Sequence, residues 1–202
     1  MKLAVIVTSN MIKEQKLPRD RGFHMALGQH LFEKEYYRYF EYLSAHGCHI
    51  IVDNGAAEKD EEPVPFKDIV AMARRLDAEE IVMPDRLHDA QWTIEATLAS
   101  LQLVDPKNRM VVPQGRTIDE WKACFMAFRN ELEFRSIGIP KVCEDFGGGR
   151  PALVKWLRNN LHYPCEIHFL GVHKKPVTEV YEAALCGARS IDTAAPVAYA
   201  PR

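Results

Sequence analysis

Three aspartates stand where short apolar runs of the sequence end, and their type and placement suit glycosyl chemistry. Asp53 closes the run IIVD, Asp85 closes IVMPD and Asp192 closes SID. Two carboxylates can act together on a glycosidic bond, because one attacks the anomeric carbon while the other protonates the leaving group. For Asp53 alone, which begins Asp-Asn-Gly, an ordinary turn is the alternative. Three aspartates at the ends of strands in one fold would favour the chemistry over three separate turns.

Metal or serine chemistry has less support in this sequence. It holds no HExxH, GxSxG or CxxC motif, and its five cysteines stand singly. His30 and His173 could in principle join Asp85 on a metal ion, but histidines at strand ends more often form hydrogen bonds or pack. We therefore expect no metal and no cofactor.

The segments that must position these residues alternate regularly along the chain. Eight short apolar runs predict strands, and they are Leu3–Val7, Phe23–Leu27, His49–Val52, Glu80–Met83, Met110–Val112, Arg135–Ile139, Glu166–Leu170 and Arg189–Ile191. Stretches with apolar residues every three or four positions predict helices, and they are Leu31–Ala45, Phe66–Leu76, Gln91–Val104, Ile118–Asn130, Pro151–Leu161 and Val177–Leu185. The polar segment Met11–Gly22, which contains Pro18, is predicted as a loop.

Strands that alternate with helices predict a parallel sheet with helical crossovers. Eight such units in 202 residues fit a single compact (β/α)8 TIM barrel spanning residues 1–202. A doubly wound open sheet is the alternative, but the GxGxxG and Walker loops that would favour it are absent. In a barrel, the polar residues that follow the strands meet at one mouth.

Composition places the chain among globular proteins. Hydrophobic residues make up 47% and charged residues 27%, which excludes a disordered or collagen-like chain. No apolar run approaches the roughly 18 residues of a membrane helix, so we expect no membrane association. A cytoplasmic location is expected, or the host cytoplasm if the protein is encoded by a phage.

The segments at six consecutive strand ends resemble those of the tRNA-guanine transglycosylases, also called queuine tRNA-ribosyltransferases. IIVDNGAAE resembles their DSGGFQ segment, IVMPDRLHD resembles the segment ending in a fourth-strand Asp, and MVVPQG resembles VQG. SIGIP takes the place of GGLAVG, IHFLGVH resembles YLMGVG, and SIDTAAP resembles FDCVLP. FHMALGQHL followed by a helix is closer to the small phage members, which place 7-deazaguanine bases in DNA.

The resemblance implies a role for each matching residue. Asp192 would be the nucleophile, Asp53 the general acid/base, and Asp85 the acceptor for the pyrimidine edge of a guanine-type base. The remaining substrate contacts would be Gln114, Gly115, Gly138, Leu170, Gly171, Asn54 and His173. Guanine independently fits this set, because its N1–H and N2 amine are donors that one carboxylate can accept together.

Two departures from the family change the expected substrate. The CxCxxC zinc site is absent, so we expect no zinc-binding subdomain, and DNA is favoured over tRNA. DSGGFQ has lost its aromatic residue here, so Phe32, Tyr36 or Phe146 would have to stack on the base. Basic residues after strand ends predict contacts with a polynucleotide backbone, and they are Lys174, Lys175, Arg150, Lys141 and Arg116.

The sequence thus predicts a pentosyltransferase of the guanine transglycosylase type. It would replace guanine in a polynucleotide with a 7-deazaguanine derivative through a covalent glycosyl-aspartate. An N-glycosyl hydrolase of a modified nucleoside or nucleotide remains open, as does a non-catalytic subunit that binds nucleic acid beside a partner. Oligomeric state and any partner subunit also stay open at this stage.

Overall fold

A computed structural model describes residues 1–13, 22–56, 64–161, 165–172 and 176–193. Eight parallel strands close into a barrel in the order of the sequence, with β8 pairing back onto β1. The strands are β1 Lys2–Val7, β2 Phe23–Leu27, β3 His49–Asp53, β4 Glu80–Val82, β5 Arg109–Val111, β6 Ser136–Pro140, β7 Glu166–Leu170 and β8 Ser190–Thr193. The predicted (β/α)8 barrel is confirmed, and every strand lies within two residues of its predicted bounds.

Helices surround the barrel between successive strands. They are α1 Ser9–Lys13, α2 Lys34–Ala45, α3 Phe66–Arg75, α4 Ala90–Ala99, α5 Ile118–Glu131, α6 Gly149–Asn160 and α7 Pro176–Cys186. The predicted loop at Met11–Gly22 is wrong at its start, because Met11–Lys13 belong to α1; residues 14–21 lie outside the described part. Two helices are shorter than predicted, since 3-10 turns precede α2 and follow α4.

Local sequence explains where several helices begin and end. The Thr117 hydroxyl accepts a hydrogen bond from the Glu120 backbone N–H at 3.2 Å and so caps α5. The Asp89 carboxylate caps α4 in the same way through the Trp92 N–H. Gly187 follows α7 with φ +78°, a left-handed conformation that favours glycine over residues with a side chain.

Side chains alternate between the two faces of each strand, and this alternation separates two apolar layers. The barrel interior is filled by Ala4, Met25, Ile51, Val82, Met110 and Val112. A larger layer between strands and helices contains Trp121, Phe125 and Phe128, all fully buried. Residues two positions beyond an interior residue also point inward, so Asp53 continues the interior face of Ile51.

The amino ends of the strands are closed by a buried ionic cluster around Glu80. Its carboxylate accepts hydrogen bonds from the Ser136 hydroxyl and from His49 Nε2, and Arg189 Nη1 lies 2.7 Å from its Oε1. Burial acts to raise the pKa of Glu80, but the hydrogen bonds from His49, Arg189 and Ser136 outweigh it and lower that pKa below its ordinary range. This end of the barrel is therefore held by charge-assisted contacts.

No helix within the described ranges is long and apolar enough to cross a lipid bilayer.

Candidate active site at the barrel mouth

A cavity of about 180 Å³ opens at the carboxyl ends of the strands. Its polar lining comes from Asp53, Asn54, Asp85, Lys141, Gly171 and Asp192. Its apolar lining includes Ile6, Met25, Leu27, Leu87, Val142 and Leu170. The three predicted aspartates thus line one cavity, with apolar surface beside them on which a flat ring could pack.

Asp192 lies in β8 with its side chain turned into the barrel, and the residue is only 2% exposed. The backbone N–H of Gly171 donates to both of its carboxylate oxygens, at 2.9 and 3.0 Å. His168 Nε2 lies 2.9 Å from Oδ1. Gly171 has φ +73°, which lets the chain turn its N–H toward Asp192 directly after β7.

The contact from His168 was missing from the sequence-based site. His168 lies two residues before Leu170 in β7, so strand alternation places both side chains on the interior face. The sequence signal that could have identified His168 is a histidine within an apolar strand of a predicted barrel. A second buried polar residue, Ser190, faces it from β8 in register.

Asp85 follows β4 and is held by two carboxamides. Asn54 Nδ2 donates to Oδ1 at 2.7 Å, and Gln114 Nε2 donates to Oδ2 at 2.5 Å. Burial raises the pKa of Asp85 to about 6, although these two hydrogen bonds act to lower it. Since an ionised carboxylate offers about four acceptor positions, Asp85 keeps acceptor capacity toward the cavity.

The two carboxamides are themselves fixed by the backbone. Asn54 also donates to the Met83 carbonyl at 2.6 Å, and Gln114 Oε1 accepts from the His88 N–H at 3.3 Å. Gln114 is buried and is not among the residues that line the cavity. Gln114 therefore lies behind Asp85, and its side-chain amide orients that carboxylate.

Asp53 ends β3 and combines the two interpretations that the sequence left open. Its Oδ2 accepts a hydrogen bond from the Gly55 N–H at 3.0 Å, which is the contact of a turn-forming aspartate. Gly55 has φ +78°, as such a turn favours. The same carboxylate lines the cavity with Asp85 and Asp192, so the turn positions it there.

Two of the three glycines predicted to contact the substrate have packing roles in this structure. A Cβ on Gly138 would lie 2.6 Å from Leu170 Cδ1, so Gly138 makes room for the leucine that lines the cavity. A Cβ on Gly115 would lie 2.5 Å from the Trp121 backbone nitrogen at the start of α5. Neither glycine lines the cavity, whereas Leu170 and Gly171 both do.

The prediction that Arg150 contacts a polynucleotide is wrong, because the residue is 0% exposed. Its guanidinium binds Glu144 at 2.5 Å, Glu179 at 2.6 Å and the Gly171 carbonyl at 2.7 Å. A cation with acidic partners on both sides can be buried, whereas the sequence alone could not show those partners. Arg150 therefore fixes Gly171, the residue that donates to Asp192.

The aromatic residues proposed to stack on the base lie elsewhere. Tyr36 is buried, and its hydroxyl donates to the Val7 carbonyl at 2.7 Å and accepts from the Leu27 N–H at 2.9 Å. That prediction is wrong for Tyr36, which ties β1 to β2. Phe32 is 51% exposed and Phe146 is partly buried, but neither lines the cavity.

The remaining predicted contacts divide into two groups. Lys141 and Arg116 are exposed after β6 and β5, and Lys141 also lines the cavity. His173, Lys174 and Lys175 lie outside the described residues. Within the part of the chain that the structure describes, no group of three or more His, Cys, Asp or Glu side chains could hold a metal ion.

Comparisons with known proteins establish the fold and nothing finer. No protein-family model and no curated protein sequence matches the chain. A solved structure of a proposed deoxyribose-phosphate aldolase from Coccidioides immitis is similar with a TM-score of 0.65 at 11% identity, covering 98% of this chain and 82% of that one. N-acetylneuraminate lyase from Mycoplasma synoviae gives 0.54 at 11% identity, covering 98% and 70%.

A glycerol uptake operon antiterminator regulatory protein from Listeria monocytogenes also matches, with a TM-score of 0.55 at 10% identity over 96% of this chain and 92% of that one. Identities this low show a shared barrel only. Since an aldolase, a lyase and a regulatory protein share it, function must be argued from the cavity.

Proposed function

We propose that this chain is a base-exchange transglycosylase that acts on guanine in a polynucleotide. The observation that carries the proposal is the meeting of three aspartates in one cavity, each with different protein partners. Asp192 is held by N–H donors, Asp53 by a turn, and Asp85 by two carboxamides. Three carboxylates in three environments fit a division into nucleophile, acid/base and base-recognition roles.

In the proposed reaction, Asp192 attacks the anomeric carbon while the bond to the guanine nitrogen breaks. Asp53 donates a proton to the leaving base, and an ester between sugar and Asp192 forms. The ionised Asp53 then takes a proton from the incoming 7-deazaguanine-type base, whose nitrogen attacks the anomeric carbon and releases Asp192. Water takes no part in this reaction. In a hydrolase, water would replace the incoming base as the second nucleophile.

Recognition of the base rests on Asp85. Its carboxylate accepts the N1–H and N2 amine of a guanine-type base, while the apolar lining packs against the ring. Lys141 and Arg116 are exposed after β6 and β5, and in this proposal they contact phosphates of the polymer. A duplex substrate must first flip the target nucleotide out of its stack, and DNA remains the favoured polymer.

The test is incorporation of labelled guanine and 7-deazaguanine bases into DNA or tRNA by the wild type and Asp192→Asn. We expect exchange by the wild type, none by the variant, and a denaturation-stable adduct of polymer and wild-type protein. Asp119→Asn, at an exposed aspartate on α5, is the matched control and should behave as the wild type. Exchange by Asp192→Asn would refute the nucleophile, and release of base without incorporation would favour the hydrolase.

A second candidate function arises from Lys141, the one lysine among the described cavity residues. A lysine amine can form a Schiff base with a carbonyl substrate, and two of the similar barrels are named as an aldolase and a lyase. Borohydride reduction with small sugar-phosphate aldehydes or pyruvate should then add substrate mass to the wild type but not to Lys141→Met. Absence of that adduct would remove this candidate.

A further inference from the structure

A row of three hydrogen bonds, of which the two made by His168 are buried, leads from Arg189 to Asp192. Arg189 Nε donates to Ser190 Oγ at 3.2 Å, Ser190 Oγ lies 2.8 Å from His168 Nδ1, and His168 Nε2 lies 2.9 Å from Asp192 Oδ1. His168 and Ser190 are fully buried and face each other across β7 and β8. The sequence-based site contained none of these partners of Asp192.

The direction of each hydrogen bond follows from the chemistry of its ends. The Arg189 guanidinium can only donate, so Ser190 Oγ accepts from it. The ionised Asp192 carboxylate can only accept, so in a neutral imidazole the ring proton lies on Nε2. Nδ1 is then the acceptor nitrogen of the ring and accepts the proton of the Ser190 hydroxyl. Arg189 is anchored in turn by Glu80 and Glu166, at 2.7 and 2.5 Å.

The two oxygens of Asp192 are held unequally. Oδ1 accepts from His168 Nε2 and from the Gly171 N–H, whereas the Gly171 N–H is the one donor to Oδ2 among the described residues. The carboxylate cannot rotate about its Cβ–Cγ bond without losing the bond from His168. One oxygen is thereby anchored, and the other keeps acceptor capacity free.

We infer that His168 is a positioning residue that anchors Oδ1 of Asp192 so that Oδ2 is the atom that attacks the anomeric carbon. This inference rests on the proposed function, because it assigns an orientation to the proposed nucleophile. When the ester forms at Oδ2, Oδ1 becomes its carbonyl oxygen and keeps both donors. His168 neither touches the substrate nor transfers a proton, and Ser190 acts by fixing its tautomer.

The test compares His168→Leu with His168→Gln, whose side-chain amide can still donate toward Oδ1. Loss of a hydrogen bond to a charged group predicts that kcat falls roughly tenfold to hundredfold in His168→Leu. KM for the polymer should stay unchanged, and His168→Gln should recover most of the lost rate. Ser190→Ala should show a smaller loss, because the ring keeps its place but no longer has its tautomer fixed.

Three measurements separate positioning from a general loss of structure. Thermal unfolding and circular dichroism identify variants that do not fold, and only folded variants enter the kinetic comparison. Single-turnover formation of the protein–sugar adduct should slow in His168→Leu by the same factor as kcat. Nitrogen chemical shifts of the wild-type imidazole should show the proton on Nε2, a reading that needs no substrate and no variant.

The outcomes distinguish this inference from the proposed function. If the wild type exchanges no base, or if Asp192→Asn remains active, the proposed function fails and the positioning role fails with it. If exchange requires Asp192 but His168→Leu keeps the wild-type kcat, or if the ring proton lies on Nδ1, this inference alone is overturned. Should His168→Leu not fold, the contrast of Ser190→Ala and His168→Gln with the wild type decides the question, together with the tautomer.

Discussion

Use of guanine-type bases should depend on pH with a midpoint near 6, because Asp85 must be ionised to accept two donors from the base. Burial raises the pKa of this carboxyl from 3.8 to about 6. Above that pH the ionised Asp85 carboxylate only accepts hydrogen bonds. Below that pH Asp85 carries a proton, which faces an N–H donor of the base and removes one of the two hydrogen bonds. At pH 5 about a tenth of the molecules are ionised, so guanine binding should weaken about tenfold, or ~1.4 kcal/mol.

Asp85→Ala should remove both the preference for guanine and its dependence on pH. The substitution leaves the donors of Asn54 and Gln114, as well as those of the base, without their acceptor. An unmatched buried polar group costs roughly 1–3 kcal/mol, which corresponds to a loss of about tenfold to more than hundredfold for guanine. Adenine lacks the N1–H and the N2 amine, so its use should not fall.

The assay is the initial rate of incorporation of guanine, 7-deazaguanine and adenine between pH 4.5 and 8. Asp53→Ala is measured beside Asp85→Ala, because Asp53 is assigned to the leaving and entering nitrogens and its loss should lower every base alike. Two results would refute the reasoning: a uniform loss across the bases in both variants, or a guanine profile that keeps its midpoint near 6 in Asp85→Ala.

Two further predictions concern stability, measured by urea unfolding. Glu80→Gln should lower the free energy of unfolding by about 3 kcal/mol at pH 7, because it removes the fully buried one of the two carboxylates that pair with Arg189 and leaves only Glu166. Since the native pKa of Glu80 lies below the ordinary 4.5, its stabilisation is present above about pH 4.5 and is lost as pH falls through the native pKa. The difference in free energy of unfolding between the wild type and Glu80→Gln should therefore become smaller in acid. A difference that does not change with pH would contradict an ionised Glu80 in the native protein. Arg150→Met should lower the free energy of unfolding by roughly 3–5 kcal/mol. The exposed control Arg116→Met should change it by less than about 0.5 kcal/mol. Equal losses would contradict the role given to the buried contacts of Arg150 with Glu144, Glu179 and Gly171.

The strands could be predicted because each is a short apolar run set between longer amphipathic stretches. β2 and β7 match their predicted bounds to the residue. The short helix Ser9–Lys13 escaped prediction, since five residues do not complete two turns and show no period. The extra turn at Gly28–Phe32 was merged with α2 for a related reason, because a 3-10 turn and an α-helix share nearly the same apolar spacing.

The cavity could be predicted only as far as strand topology determines it. The order of the strands brings Asp53, Asp85 and Asp192 to one mouth, so their meeting followed from their positions in the sequence. The partners of each charge did not follow, because they depend on contacts between distant segments. Arg150 meets Glu179 from 29 residues away, and nothing in the sequence distinguishes such an arginine from an exposed one.

The polar wall of the barrel interior gives a physical reason to look for chemistry at Asp192. Between the Glu80 cluster at the amino ends and the aspartates at the mouth, the interior on the β1–β5 side is apolar, with Ala4, Met25, Ile51, Val82 and Met110. On the β6–β8 side it holds Ser136, His168, Ser190 and Asp192, all buried. Buried polar groups stabilise a fold only when they are matched, and apolar residues of the same size would fill this space at lower cost. Because each of these groups is hydrogen-bonded and the row from Arg189 through Ser190 and His168 ends on Asp192, the structural effect of this wall is to fix one carboxylate in a cavity.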